Sequence, residues 1–349
     1  MVQINPFGFA ALTEAVNQMI PVPSFITDTL FKRRDTFATT TVMTDIIIGS
    51  QKIAPLVKRG NAAKVIGNLG QRIQTVEPPS IRMKKFLTPG DLFYTRGAGA
   101  PVFVPGGAAG ADPILQARKN RIAREQYDLR AIGDRTMEYL ACQGLGGSYS
   151  IAQDDGTYSI DFSMPAANKP VITTTADKWI TPATCTPFAN IRAWKLIAKK
   201  ATGRIPSLVV CNSTTFEYFL ASTEVQNYLN KLKMNMGTFE TEKTIQQSGA
   251  EYKGTVDGMK YYTYDGIYLD KNGDAQQMIP DGYVSLICTD ADYRLQFGGI
   301  EDLEAGTAVA EYFSKDWVEH DPSGLYLLVE THPLPTFNQP AANIYAKVA

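Results

Sequence analysis

Asp270, Asn272, Asp274 and Asp281 stand at positions 1, 3, 5 and 12 of a calcium-loop frame, a spacing that gathers carboxylate and amide oxygens around a hard cation. Position 6 should be glycine for the sharp turn, but it is Ala275, and tyrosine-rich, strand-like runs replace the flanking helices. The polar turn of a hairpin explains these residues equally well. Gly106-Gly107-Ala108-Ala109-Gly110 precedes a long helical segment, the placement of a phosphate cradle. Asp112 puts a negative charge where the phosphate would sit, Pro113 removes a donor, and no Gly-Lys-Ser/Thr follows. A hinge or flexible loop is the better reading. His320 and His332 are the only histidines, with Asp316, Glu319, Asp321 and Glu330 nearby in sequence, yet no HxH or HxxxH spacing points to a metal. Asp154-Asp155 has turn composition, and no Ser elbow or locally supported Cys–His pair occurs. The expectation is no catalytic residue, no cofactor, no metal and no enzyme.

The elements that would position any site are more informative. Asp112 to Gly144 is expected to form one long helix: Asp112 suits the N-cap, Pro113 the first turn and Gly144 the stop. Ile114, Leu115, Ile122, Leu129, Ile132 and Leu140 share an apolar arc, while Asn120, Arg124, Tyr127, Arg135 and Glu138 take the opposite side. Arg121–Glu125 and Arg124–Asp128 are i,i+4 pairs. Before this spine, residues 1–50 have the look of an arm, with a short helix at Leu12 to Met19 and a β-branched strand at Thr39 to Ile48. Such an arm is often ordered only by a partner. Residues 51–111 offer strands at Arg72 to Val76 and Ile81 to Leu87 but few large apolar side chains. A two-stranded excursion of this kind needs another surface to lie on.

After the spine, Tyr149 to Ala152 and Thr157 to Phe162 flank Asp155-Gly156 as a hairpin. Residues 188–304 have α/β character: a helix ending at Gly203, a buried strand Leu208 to Cys211, a helical stretch to Leu232 capped by Asn212 or Ser213, and strands Met259 to Leu269 and Tyr283 to Cys288. Val309 to Phe313, Leu325 to Val329 and Ile344 to Val348 return to strand.

With 349 residues, 44% hydrophobic and 20% charged, the chain can bury a full core. No apolar run approaches the ~20 residues of a membrane span, and no charged n-region with an apolar stretch suggests a secretory signal. Cys142, Cys185, Cys211 and Cys288 are far apart, as expected for reduced, packed thiols. The net charge of −1 hides a basic third: residues 51–130 hold 14 Lys/Arg against 5 Asp/Glu, a balance of +9. Such polarity suits complementary surfaces between copies. Nucleic-acid binding would call for aromatic interleaving or a known motif, and neither is obvious.

Several stretches in order, over nearly the whole chain, resemble the major capsid protein E family, the lambda-type head protein of bacteriophages. They are Phe31-x5-Phe37, Ile53-Ala54-Pro55-Leu56-Val57, Pro78-Pro79, the Arg-rich spine with Glu138 and Gly144, and Ile160-Asp161-Phe162. Pro206-Ser207-Leu208-Val209-Val210, Phe216, Phe219, Tyr252-Lys253-Gly254, Ile279-Pro280-Asp281-Gly282, Thr331-His332-Pro333-Leu334-Pro335 and Pro340-Ala341 complete the series. The resemblance implies an α+β, Hong Kong 97-like capsid fold. Residues 1–50 would be the N-terminal arm and 51–111 the extended β loop. Residues 112–185 and 305–349 would form the peripheral domain around the spine helix, and 186–304 the axial domain. It implies pentamers and hexamers of an icosahedral shell around double-stranded DNA bound without sequence recognition. Portal, scaffold and decoration proteins would be partners, there would be no membrane, and assembly in the host cytoplasm would lead to the virion capsid. Arg72, Arg82, Lys84 and Lys85 are the expected subunit-interface residues. An α/β ligand-binding enzyme domain at 188–304 and an encapsulin-like nanocompartment shell are the alternatives.

Overall fold

The computed structural model describes residues 9–22, 24–48, 70–93, 113–153, 156–232, 249–270, 272–306 and 309–349. Gly106 to Gly110, Ile53 to Val57 and Asp154-Asp155 lie outside the described residues, as does most of the expected extended loop. Helices α1 (Phe9–Gln18) and α2 (Phe25–Leu30) come first, then strands β1 (Arg33–Thr36), β2 (Val42–Ile48), β3 (Gly70–Val76) and β4 (Ile81–Leu87). The short α3 (Pro89–Phe93) precedes the spine helix α4 (Pro113–Gly144). The hairpin β5 (Ser148–Gln153) and β6 (Gly156–Asp161) follows. Then come α5 (Pro187–Thr202), β7 (Leu208–Cys211), α6 (Ser213–Ala221) and α7 (Thr223–Leu232). Strands β8 (Ala250–Val256), β9 (Met259–Tyr264), β10 (Ile267–Leu269), β11 (Ala275–Gln277), β12 (Tyr283–Ile287) and β13 (Tyr293–Phe297) continue the chain. It finishes with β14 (Phe313–His320), β15 (Ser323–Thr331), β16 (Pro333–Phe337) and β17 (Ile344–Lys347).

At 32 residues, α4 is a rod of roughly 48 Å. The sheet β14-β15-β4 lies along it, and the sheet β1-β13-β16 lies near its C-terminal end. Pro333 and Pro335 are tolerated in β16 because it is an edge strand, where a missing N–H costs no ladder bond. A five-stranded sheet, β17-β12-β7-β9-β8, forms a second body with its own core around Trp179, Phe188, Trp194, Phe219 and Tyr261. Leu208 to Cys211 is fully buried at its centre, as expected. Gly203 closes α5 in the left-handed region, with φ 75° and its N–H on the Lys199 carbonyl. The helical stretch expected through Leu232 consists of two helices, α6 and α7, divided at Ser222, with Asn212 as the N-cap accepting from Thr215 N at 2.9 Å.

The final stretch divides. Strands β14 to β16 lie with the spine, but β17 pairs with β12 in the five-stranded sheet. Strand β2, within the expected arm, pairs along its whole length with β3, within the expected loop. Val42, Thr44 and Ile46 turn inward while Met43 is exposed, the alternation of a half-buried strand. One strand was expected at Val309 to Phe313; it begins only at Phe313, and Met259 to Leu269 is broken into β9 and β10 after Tyr264.

Asp316 on β14 is buried, and its Oδ2 has no hydrogen-bond partner among the described residues. Burial, with the nearby Glu304 charge, raises its carboxyl from an ordinary 3.8 to about 6. The folded chain therefore holds this proton more tightly than the unfolded chain. The resulting stabilisation is full at low pH and is lost as pH rises from about 4 through 6. The full difference is worth at most about 3 kcal/mol, and solvent contact reduces it. Asp316→Asn should raise stability at pH 7 by about 1–2 kcal/mol, and the gap to wild type should close near pH 4 in thermal melts. A variant no more stable at pH 7 would refute the assignment.

Candidate assembly surfaces

The spine carries a buried polar ladder at every fourth residue: Gln126, Arg130, Asp134 and Glu138. Four-residue spacing puts successive side chains on one inclined row of a helix; here Gln126 donates to the Ser314 hydroxyl at 3.2 Å, and the other three receive the arm. Arg130 Nη1 donates to the carbonyls of Val16 and Met19, the latter at 2.7 Å, where α1 ends. Asp134 accepts Val22 N at 3.2 Å and the Tyr312 hydroxyl at 2.7 Å. Glu138 accepts Ile26 N and Thr27 N, each at 2.8 Å, at the first turn of α2. A cation thus meets a helix C-terminus and an anion a helix N-terminus, the favourable sense for both dipoles. Ser24 would be the natural N-cap of α2, but its hydroxyl donates to the Val22 carbonyl and makes no cap bond. Glu138, more than a hundred residues away, takes its place. Burial raises the Glu138 carboxyl above the usual range, while bonds from Thr27, Ile26 and the Tyr264 hydroxyl oppose that shift.

Glu138 was expected on the solvent side of the helix; the arm covers it instead. Ile132, expected in the core arc, is 48% exposed at the edge of that arc. The described arm also bonds to strand β14 and the residue before it. Thr13 Oγ1 donates to the Ser314 carbonyl and accepts Ser314 N, both at 3.1 Å. Asn17 does the same with Tyr312, at 3.0 and 3.2 Å. Two side chains one helical turn apart thereby act as a strand neighbour for the free edge of β14, which would otherwise invite another chain. Strand β1 then adds in parallel to β13.

The expected interface residues lie on or beside the loop strands. Arg72 is in β3 opposite Ile46. Arg82 forms ion pairs within its own chain, its Nε 2.9 Å from Glu330 Oε2 and its Nη2 3.9 Å from Asp302 Oδ2. Lys85 pairs with Glu125 on the spine, which also takes Arg121 at 2.7 Å. Lys84 is exposed, its ammonium 4.8 Å from the ring centre of Tyr326. Tyr326 is the middle of a row crossing three strands, with Phe86 at 4.7 Å on β4 and Trp317 at 5.1 Å on β14. This aromatic row beside a cation was invisible in sequence, because Lys84 and Phe86 lie more than two hundred residues before Trp317 and Tyr326.

The other candidates among the described residues have structural roles. Asp270 Oδ1 accepts Asn272 N and Asp274 N, each at 2.9 Å, and the loop joins β10 to β11 as a polar turn. Among the described residues, no group of three or more His, Cys, Asp or Glu side chains could hold a metal. His332 does meet Ser80 and Glu330, but both face Nε2, while Nδ1 is on the Gly299 carbonyl. A nucleophile–base–acid relay requires the two partners on opposite nitrogens. The four cysteines are free and buried. Among the described residues no helix is long and apolar enough to cross a membrane.

The comparisons with known proteins agree with this architecture. The family model for phage major capsid protein E matches residues 8–348. A crystal structure from an E. coli CFT073 prophage, described as a capsid protein, superposes with TM-score 0.68 and 18% identity, covering 98% of this chain and 97% of that one. A phage-related protein from Bordetella bronchiseptica RB50 follows with TM-score 0.54 and 10% identity, covering 97% and 96%. No curated protein sequence matches. The fold is the mixed α and β, Hong Kong 97-like capsid fold. The chain belongs to the phage major capsid protein E family and is a structural shell protein, not an enzyme.

Proposed function

We propose that copies of this capsid protein assemble as pentamers and hexamers of an icosahedral shell around double-stranded DNA. The family match over residues 8–348 carries this reading. Residues 1–50 act as the arm, 51–111 as the extended loop, 112–185 and 305–349 as the peripheral domain, and 186–304 as the axial domain. Strand β17 contributes to the axial sheet from the peripheral end of the chain. Assembly takes place in the host cytoplasm with portal and scaffold proteins, and DNA is held without sequence recognition.

In this reading Arg72, Arg82, Lys84 and Lys85, all on the loop strands, face the next subunit. Two of the four have internal duties: Arg82 neutralises Glu330, and Lys85 neutralises the buried Glu125. Lys84 is the clean probe, because its described contact is the face of Tyr326. Lys84→Glu should leave the melting temperature within a few degrees of wild type while blocking closed shells in negative-stain microscopy and sedimentation velocity. Normal shells from that variant would remove Lys84 from the interface. Wild-type protein that stays monomeric even with scaffold would remove the shell reading itself.

A further inference from the structure

Helix α5 is cationic throughout. Residues 187–204 hold five Lys/Arg and no Asp or Glu, while residues 205–349 hold 9 Lys/Arg against 20 Asp/Glu, a balance of −11. The buried side of the helix, with Ile191, Trp194 and Ala198, packs on the five-stranded sheet. The opposite side shows Ala189, Arg192, Ala193, Leu196, Lys199 and Lys200 to solvent. Leu196 is 48% exposed, and its neighbours three and four residues away are Arg192, Ala193, Lys199 and Lys200. An apolar knob therefore stands among three cations, one of which, Arg192, also holds Asp257 at 3.0 Å. Lys199 and Lys200 lie in the last turn, where the helix dipole favours positive charge.

The hairpin β10–β11 has the reverse character. Residues 265–281 hold four Asp and one Lys. Tyr268 turns inward onto Tyr139 of the spine, with ring centres 4.5 Å apart. Strand alternation turns its neighbours Ile267 and Leu269 the other way, and they are 60% and 70% exposed. Leu269 precedes Asp270 and pairs with Ala275, the residue after the exposed Asp274. Asp270 N donates to the Asp274 carbonyl at 3.0 Å, which keeps the two acids at the same end of the hairpin as Leu269.

The two surfaces lie on opposite faces of the five-stranded sheet. Val209, Cys211, Tyr261, Val284 and Leu286 share the core under α5, whereas Leu208, Val210, Tyr262 and Ile287 belong to the core that takes Tyr268. Alternation along the paired strands makes these the two sides of one sheet. Complementary patches on opposite sides of a sheet do not meet within one copy. Between copies they join head to tail, the arrangement that closes rings. We infer that the β10–β11 hairpin of one copy docks on the exposed face of α5 of the next, leucine against leucine and aspartate against lysine. Apolar burial supplies attraction, and opposite charge sets the register and rejects like surfaces. The docking rests on the shell reading above and gives its rings of five and six a specific contact.

The test introduces Leu196→Cys and Leu269→Cys into the full chain, singly and together, and treats the assembled rings or shells with a short bismaleimide crosslinker. Both positions are exposed, and the four native cysteines are buried. The double variant should run as a ladder of covalent multimers on a denaturing gel, and each single variant as a monomer. Crosslinked pairs from either single variant would mean that like face meets like. Assembled double variant without a ladder would mean that the two faces do not meet. Either result overturns the docking and leaves the shell reading standing. Independently, Lys199→Glu combined with Lys200→Glu should abolish closed shells in negative-stain microscopy while the melting temperature stays within a few degrees of wild type. Normal shells from that chain would overturn the docking and leave the cationic face for another polyanion, such as the phosphates of enclosed DNA. Wild-type protein that never forms rings or shells, even with scaffold, would remove both readings together.

Discussion

Glu138→Leu should detach the arm from the spine and lower the stability of the subunit by about 3–5 kcal/mol, the usual cost of stranding buried partners of a charged group. Leucine fills a similar space, so the loss comes from polarity. Ile26 N, Thr27 N and the Tyr264 hydroxyl would be left facing hydrocarbon, at about 1–3 kcal/mol for each unsatisfied group. No local substitute exists, since Ser24 makes no cap bond. The readouts are a lower urea midpoint and new protease cleavage at residues 19–24, between α1 and α2. Glu138→Gln should fall between the two, because an amide oxygen can serve one N–H while its NH₂ opposes the other. A Leu variant within 1 kcal/mol of wild type (an order-of-magnitude threshold) would mean the arm is seated by packing alone.

Phe337→Ala should cost about as much, roughly 3–5 kcal/mol by loss of a buried aromatic. The ring is 1% exposed and meets Phe31 at 5.4 Å edge-on, Phe162 at 5.4 Å and Tyr293 at 5.6 Å edge-on. Those partners come from the segment after α2, the segment after β6, and β13. The ring also lies directly over Gly144, where any Cβ would overlap it. One side chain therefore joins the arm, the hairpin, the spine and two strands, and the hole left by alanine cannot close by moving any single element. Chemical denaturation of the isolated subunit measures the loss. A cost below about 1 kcal/mol would show that these elements collapse into the space.

The sequence made the spine legible because its signals are local: Pro113 at the first turn, Gly144 at the end, and an uninterrupted run between them. Even so, the reason for Gly144 was only half visible. The left-handed stop expected at this residue is not there, because Gly144 stays helical and Gly147 takes φ 83°; contact with Phe337 accounts for Gly144 in the fold. Strands β4 and β7 were legible from β-prone runs beside turn residues. The arm seat was not, because Gln126, Arg130, Asp134 and Glu138 at i,i+4 are also what a solvated helix face contains. Only the return of residues 9–30 onto that row distinguishes the two. Arg82 and Lys85 were legible as positive charge, but sequence could not tell that Glu330 and Glu125 of the same chain would meet them. The family resemblance drew on the order of many weak motifs, a kind of information that periodicity and composition do not hold.

The helical cover on the edge of β14 also has a consequence in time. Thr13 and Ser314 are 301 positions apart. At the usual ~5–20 residues per second of synthesis, the helix emerges roughly 15–60 seconds before the strand it must shield. Contacts of such long sequence separation form slowly even in a complete chain. During that interval α1 has a polar row prepared for a backbone that does not yet exist. The segment is made early and seated late, so a nascent or freshly released subunit exposes both the helix and the strand edge it will cover. Throughout that interval the helix is free to find the same edge on another molecule.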